Sequence, residues 1–145
     1  MALDSFLENI RKFNDMYKLP SNNQPTLLDP ERISNFQNIL QEEIGEGDDI
    51  LQKYQDALQN GIDEKAKQEI LTDMSDWLGD IIVYCASEAR RWGLPTAKIL
   101  DIIMESNFSK LDENGQPIYD DRGKVMKGPN YWKPEPKILE HIKDL

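Results

Sequence analysis

The sequence predicts an all-α protein, a bundle of four to five helices with a C-terminal loop or hairpin extension. Apolar residues recur every three to four positions from Phe6 to Met104, and capping residues together with Gly and Pro mark the ends of these stretches. At 145 residues the chain can bury a core without disulfides or a structural metal. We therefore expect one domain over residues 1–145.

The first helix is predicted from apolar residues that share one face: Phe6, Ile10, Phe13 and Tyr17. Asp4 or Ser5 is its expected N-cap, and Leu19–Pro20 ends it.

A second helix begins at Asp29–Pro30, where a capping acid precedes a proline at the first helical position. It runs to Asn60–Gly61 and contains Gly45 and Gly47. Two glycines beside acidic residues indicate a bend or a close backbone approach at a ligand site, or else a kink or a break into two helices.

The third helix is the longest, with Asp63 as its N-cap and Gly93–Leu94–Pro95 at its end. We expect its inward face to comprise Ile70, Met74, Trp77, Leu78, Ile81, Ile82, Cys85, Ala89 and Trp92. The stretch 77–86 is apolar nearly all round except for Asp80, which predicts contacts on several sides and an oligomer interface. A shorter fourth helix starts at Thr96 and runs through Met104.

Residues 106–137 are predicted to form a basic loop or small hairpin, followed by a short terminal helix over 138–145. Turn residues and isolated apolar pairs fill this segment. It also collects over a third of the basic residues of the chain, namely Lys110, Arg122, Lys124, Lys127, Lys133 and Lys137. The segregation of charge suggests bases for phosphates and acids for a metal.

The overall charge narrows the possible partners. With 27 acidic and 17 basic residues, the net charge of −10 disfavours nucleic acid and anionic membranes as partners. Cys85 is the single cysteine, expected as a buried thiol, and His141 is the single histidine, so a transition-metal storage or sensing site is disfavoured. No stretch approaches a membrane span or a targeting segment, so we expect a cytoplasmic protein.

Two acidic clusters at helical spacing lie about thirty residues apart. The first contains Glu42, Glu43 and Glu46, of which either Glu42 or Glu43 can share a face with Glu46; the second contains Asp73, Asp76 and Asp80. Acids inside apolar-periodic helices need a compensating cation. If the two helices pack together, their carboxylates form the oxygen set that Mg²⁺ prefers.

These motifs in this order resemble the all-α nucleoside triphosphate pyrophosphatases of the MazG-like superfamily. The resemblance covers roughly residues 33–134 and rests on the Glu-Glu-x-x-Glu motif, the acidic helix with Leu-Gly-Asp80, and Ser-Asn-Phe-Ser-Lys110. The segment 123–131, Gly-Lys-Val-Met-Lys-Gly-Pro-Asn-Tyr, is similar to the branch called phosphoribosyl-ATP pyrophosphohydrolase-like.

The resemblance implies a Mg²⁺-dependent hydrolase, with Mn²⁺ as a substitute, that cleaves nucleoside triphosphates between the α and β phosphates to monophosphate and pyrophosphate. It implies a homodimer or a dimer of dimers. The catalytic and metal residues carried over are Glu42, Glu43, Glu46 and Asp80. Trp77 stands where the family often has a glutamate, so Asp76, one turn from Asp80, is the candidate to replace it as a metal ligand.

The resemblance also favours Asn107 and Lys110 as nucleotide contacts, and the residues themselves make Lys124 and Lys127 candidates to hold phosphate oxygens. Tyr131, Trp132, Phe13 and Tyr17 are aromatic candidates to stack on a base, although for Phe13 a place in the core is favoured.

Three functions stay open at this point. The first is removal of surplus or non-standard nucleotides such as dUTP or other pyrimidine triphosphates. The second is phosphoribosyl-ATP hydrolysis in histidine synthesis. The third is a catalytically silent helical module for dimerisation or nucleotide binding.

Overall fold

The computed structural model describes residues 2–143, and over these residues the chain is all-α, as the sequence predicts. Six helices follow one another there: α1 (Ala2–Met16), α2 (Glu31–Gly45), α3 (Gly47–Asn60), α4 (Glu64–Arg91), α5 (Thr96–Phe108) and α6 (Glu135–Lys143). None of them is long and apolar enough to cross a membrane.

Helix α4 is the centre of the fold, because α1, α2, α3 and α5 all pack against it. Its predicted N-cap is confirmed, since Asp63 Oδ1 accepts a hydrogen bond from the N–H of Ala66 at 2.8 Å. Its end is also confirmed. Gly93 has φ +67°, and a Cβ there would lie 1.9 Å from the carbonyl oxygen of Gln24, so a side chain at this position would displace the α1–α2 connection.

Several helix boundaries differ from the prediction. α1 begins at Ala2, so Asp4 lies in its first turn and is not the N-cap. The predicted second helix begins one residue late, at Glu31, with Pro30 as its N-cap and Asp29 Oδ1 accepting from the N–H of Glu31. Of the alternatives open at its two glycines, the structure has the break into two helices, which lies at Glu46 between α2 and α3. α5 continues through residues assigned to the loop and ends where Ser109 donates to the carbonyls of its last turn.

The buried core is small and partly polar. Its apolar members are Ile10, Ile70, Ala86 and Ile102. Asn14 and Ser106 are fully buried as well, and Asn14 exchanges hydrogen bonds with Ser87 of α4 through Ser87 Oγ at 2.7 Å and the Ser87 carbonyl at 3.2 Å. The buried amide thus fixes α1 against α4.

Part of the predicted inward face of α4 is exposed. Leu78 is 48% and Ile82 58% exposed, and Cys85 is exposed as well, so the expected buried thiol is wrong for the single chain. Phe13, favoured for the core, is 43% exposed. Leu78 and Ile82 are exposed because a helix that is apolar on all sides needs more neighbouring helices to cover it than α1, α2, α3 and α5.

The segment between α5 and α6 consists of two tight turns rather than a regular hairpin. Asp112 Oδ1 accepts from the N–H of Asn114 and Gln116, and Asp120 Oδ1 accepts from the N–H of Arg122 and Lys124 in the same pattern. Isolated antiparallel bridges close each turn, Leu111 with Pro117 and Tyr119 with Val125. The loop is therefore shorter than predicted, because α6 begins at Glu135; residues 144–145 of the predicted terminal helix lie outside the described residues.

Candidate functional site

The end of α2 places Glu43 directly against α4. Glu43 is only 7% exposed, and its backbone carbonyl oxygen accepts a hydrogen bond from Trp77 Nε1 at 2.7 Å. Trp77 also lies so close to the start of α3 that a Cβ on Gly47 would approach its ring to 2.6 Å. The tryptophan that stands in place of the expected glutamate therefore locks the α2–α3 junction onto α4.

The carboxyl group of Glu43 is surrounded by other acids. Desolvation raises its pKa most, and the neighbouring charges of Glu46, Asp80 and Asp76 raise it further. Glu43 Oε1 is buried and has no hydrogen-bond partner among the described residues. Four of the predicted site residues thus lie near one another, Glu43 on α2, Glu46 at the α2–α3 break, and Asp76 and Asp80 on α4, and the buried oxygen of Glu43 lacks a hydrogen-bond donor.

An acidic cleft lies beside these acids, between α3 and α4. It has a volume of about 260 Å³ and is lined by Glu46, Asp49, Asp73 and Asp76, together with Ile50 and Trp77. Asp73 has its own cation, because Lys53 Nζ contacts Asp73 Oδ2 at 2.8 Å. The sequence analysis missed Asp49, although its position three residues after Glu46 places both on one helix face.

Glu42 is not among the charges that act on Glu43; it is exposed on α2. Consecutive helical residues point in different directions, so the structure chooses Glu43 as the partner of Glu46. Within residues 2–143 no group of three or more His, Cys, Asp or Glu side chains is already arranged to hold a metal ion. The four acids approach one another without sharing one centre.

We tested whether this group suits Mg²⁺ on its donor chemistry. The acids offer only carboxylate oxygens, which Mg²⁺ prefers, and one of those oxygens is buried without a donor. Mg²⁺ uses one or two protein carboxylates and completes its shell with water and phosphate, so it does not need a closed protein cage. The residues fit the ion.

A cavity of about 460 Å³ opens beside Asp80, between α1, α2 and α4. Its polar lining residues on α4 share one face of that helix: Asp80, Tyr84, Ser87, Glu88 and Arg91. Side chains of α1 and α2 form the other wall, among them Phe13, Arg32, Phe36 and Ile39. Its volume lies in the range of small-molecule sites.

Glu88 anchors the far end of this cavity. Its carboxylate accepts from Arg32 Nη2 at 2.7 Å, from Arg32 Nε at 3.0 Å and from Trp92 Nε1 at 2.9 Å. Desolvation would raise the pKa of Glu88, but these hydrogen bonds and the charges of Arg32 and Arg91 hold it below its usual value. Neither Arg32 nor Arg91 was predicted from the sequence. Arg91 follows Asp80 by eleven positions, about three helical turns, and that spacing places the two on nearly the same helix face.

The predicted nucleotide contacts of the C-terminal segment come together only in part. Lys110 Nζ and Lys127 Nζ lie 5.9 and 5.0 Å from the ring centroid of Tyr131. Asn107 is exposed on α5, and Lys124 is exposed in the second turn. No hydrogen bond or ion pair between described residues joins any of these five to the acids of α2 and α4.

The chain was compared with family models, curated proteins and solved structures. No family model matches the chain, and no curated protein matches it. Among solved structures, the crystal structure of a protein from Exiguobacterium sp. 255-15, provisionally named an NTP pyrophosphohydrolase, is 19% identical over 94% of this chain and 93% of that one, with a TM-score of 0.49. A likeness at this level says nothing of the chain's activity.

Proposed function

We propose that this chain is a Mg²⁺-dependent nucleoside triphosphate pyrophosphohydrolase that cleaves between the α and β phosphates and releases monophosphate and pyrophosphate. The observation that carries the proposal is the meeting of Glu43, Glu46, Asp76 and Asp80 at the packed end of two helices, with Glu43 Oε1 buried and unpaired. Clustered acids without a nearby base are stabilised by a cation, and a cation attracts phosphates. The sequence resemblance to MazG-like enzymes points to the same chemistry.

We assign Glu43, Glu46, Asp76 and Asp80 to hold the ion, with Glu42 at the edge of the site as a further carboxylate. When bound, Mg²⁺ would neutralise charge on the triphosphate and activate a water molecule for attack. Mn²⁺ would substitute, since it accepts the same oxygen ligands.

Glu43 is suited to accept the proton of the attacking water. Its raised pKa makes it a stronger base than an ordinary carboxylate, and its backbone is held by Trp77. Positioning and charge stabilisation supply most of the catalysis in phosphoryl transfer, so no Ser, Cys or His nucleophile is needed. The basic segment, with Asn107, Lys110, Lys124, Lys127 and Tyr131, would bind phosphate oxygens if it closes over a site, either its own or that of a neighbouring subunit.

The exposed apolar surface favours a homo-oligomer, a dimer or a dimer of dimers. Leu78 and Ile82 lie on α4, and Leu51 and Leu58 on α3, each about half exposed. An apolar groove of about 630 Å³ also runs between α3 and α4 beneath Gly47 and Trp77. Exposed apolar residues grouped beside an apolar groove are typical of a protein–protein interface. Light scattering of the purified protein tests this, and a monodisperse monomer would contradict it.

The activity is tested by incubating the protein with Mg²⁺ and a panel of canonical and modified nucleoside triphosphates plus phosphoribosyl-ATP, and identifying products by mass. Monophosphate with pyrophosphate is the expected result. Asp80→Asn should abolish turnover without lowering the melting temperature, whereas Asp121→Asn, a matched change in an exposed loop, should retain turnover. Release of inorganic phosphate as the first product, or full activity of Asp80→Asn, would contradict the proposal.

We propose housekeeping of the nucleotide pool as the role, with dUTP or another pyrimidine or non-standard triphosphate as substrate. The fastest substrate in the panel decides between this role and phosphoribosyl-ATP hydrolysis.

A further inference from the structure

The cavity beside Asp80 ends in a cation that the protein leaves without a hydrogen bond. Only 16% of the Arg91 side chain is exposed, and Arg91 Nε reaches Glu88 Oε1 only at 3.8 Å, too far for a hydrogen bond. Within residues 2–143 its guanidinium makes no hydrogen bond. Desolvation and then the charge of Arg32 lower the pKa of Arg91, and the opposing charge of Glu88 does not offset them, so the protein compensates the charge of Arg91 only in part.

Glu88 supplies only part of that compensation, because its carboxylate is already hydrogen-bonded to Arg32. The Arg32 guanidinium engages both carboxylate oxygens of Glu88, and Trp92 takes a further position. Two arginines share one carboxylate, so this end of the cavity carries an excess positive charge. The N–H groups of Arg91 therefore have no free carboxylate oxygen of Glu88 to donate to.

The opposite end of the cavity is acidic and lies at the proposed metal site. Asp80 and Arg91 are eleven residues apart on one helix, which separates them by about 16 Å along its axis and returns them to nearly the same face. Between them the cavity is walled by Phe13, Phe36 and Val83. Apolar and aromatic walls suit a planar base and do not suit a phosphate group.

We propose that this cavity receives the nucleoside of the substrate and that Arg91 is a specificity residue that selects bases with an oxygen on the edge farthest from the sugar, the 4-oxo pyrimidines and 6-oxo purines. The inference rests on the proposed function, because it takes Asp80 as the phosphate end of the cavity. A keto oxygen at that edge accepts a hydrogen bond from the guanidinium. The amino group of cytosine or adenine at the same position is itself a donor, so it forms no hydrogen bond with the guanidinium.

The size of the preference follows from this mismatch. A site built to donate to a base oxygen discriminates against an amino base by about tenfold or more, since a good arginine–base pair is worth that much in binding. The keto preference should therefore be visible within pairs of nucleotides that differ at one exocyclic group: UMP against CMP, and IMP against AMP.

The test measures the affinity of wild-type protein for these four monophosphates by calorimetry with Mg²⁺ present, which does not require turnover. The expected result is tighter binding of UMP and IMP by about tenfold. Arg91→Met should bring each pair to within about threefold, and Arg91→Lys should keep part of the affinity but lose most of the preference, since lysine lacks the planar fork. Arg11→Met, at a guanidinium 40% exposed on α1 that pairs with Glu8 and Asp15, is the control and should leave all four affinities unchanged.

Several results would overturn the inference. Equal binding within each pair by the wild type would do so, and so would failure to bind any of the four. Arg91→Met that weakens all four nucleotides and free pyrophosphate equally would make Arg91 a phosphate ligand instead. Melting curves verify that the variants are folded. If the protein hydrolyses triphosphates but binds keto and amino bases equally, this inference is wrong and the proposed function stands. If it binds keto bases selectively but hydrolyses no triphosphate, the proposed hydrolase activity is wrong and the base selectivity of Arg91 stands.

Discussion

The pair of glycines at the α2–α3 junction allows a sharp test of the contact between Trp77 and Glu43. A Cβ on Gly47 would lie 2.6 Å from Trp77 Cζ2 and 2.9 Å from Cη2, whereas a Cβ on Gly45 would meet nothing within 4 Å. To reach ordinary contact the indole would have to retreat by roughly 0.8 Å, which strains its 2.7 Å hydrogen bond to the Glu43 carbonyl.

The two alanine substitutions should therefore have opposite effects on stability. Overpacking of this kind costs about 1–3 kcal/mol, and replacing a glycine returns about 0.4–1 kcal/mol by restricting the unfolded chain. Gly47→Ala should accordingly lower the free energy of unfolding by about 1–2 kcal/mol and the melting temperature by about 3–8 °C. Gly45→Ala restricts the unfolded chain without overpacking the folded one, so its free energy of unfolding should equal or exceed that of the wild type.

Calorimetry and urea unfolding of both variants provide the measurement. A double-mutant cycle with Trp77→Phe adds the mechanism, because a smaller ring without the N–H should tolerate the added Cβ, so Gly47→Ala should cost less in that background. If Gly47→Ala and Gly45→Ala shift the melting temperature equally, Trp77 does not restrain the junction and the reasoning fails.

Other substitutions test the charges and the caps. Because the pKa of Glu43 is raised, first by desolvation, the folded state binds its proton more tightly than the unfolded chain, so the stability that this group contributes is present below its ordinary pKa and lost as pH rises through the raised one. The Glu43→Gln protein should thus have a higher melting temperature than the wild type at about pH 7 and a similar one at about pH 4; an equal rise in melting temperature at both pH values would contradict this. Glu88→Gln leaves the largely buried Arg32 guanidinium without its charged partner and should cost about 3 kcal/mol in urea unfolding, and an unchanged midpoint would show that the Arg32–Glu88 pair contributes nothing. Asp63→Ala should cost about 1 kcal/mol, with Asp63→Asn, which keeps a capping oxygen, costing less; equal losses would show that the cap contributes nothing.

The proposed enzyme and the proposed selectivity depend on different ends of one helix face. Asp80 is at the acidic end of the cavity and Arg91 at the cationic end, with the apolar walls between them. Activity and selectivity are therefore separable by substitution, and they can fail independently.

The sequence by itself determined the elements whose signals are local. The apolar period of three to four residues predicted the helical class, and single residues fixed some boundaries. The side-chain cap of Asp63 and the positive φ of Gly93, with the hydrogen bond from its N–H to the Arg90 carbonyl, involve atoms only a few positions away along the chain. It also placed the two acidic clusters on helices, since side chains three and four apart share a face whatever packs against them.

Only the tertiary structure decided which of these residues meet. Helical periodicity left Glu42 and Glu43 equivalent as partners for Glu46, and the approach of α4 selected Glu43. The break at Glu46 and the contact of Gly47 with Trp77 join residues thirty positions apart, and no local pattern encodes that distance. The pairing of Arg32 with Glu88, which leaves Arg91 without a hydrogen bond in the cavity, likewise depends on how α2 packs against α4. Helix formation follows from nearby residues, whereas the charge and shape of a site follow from packing between distant ones.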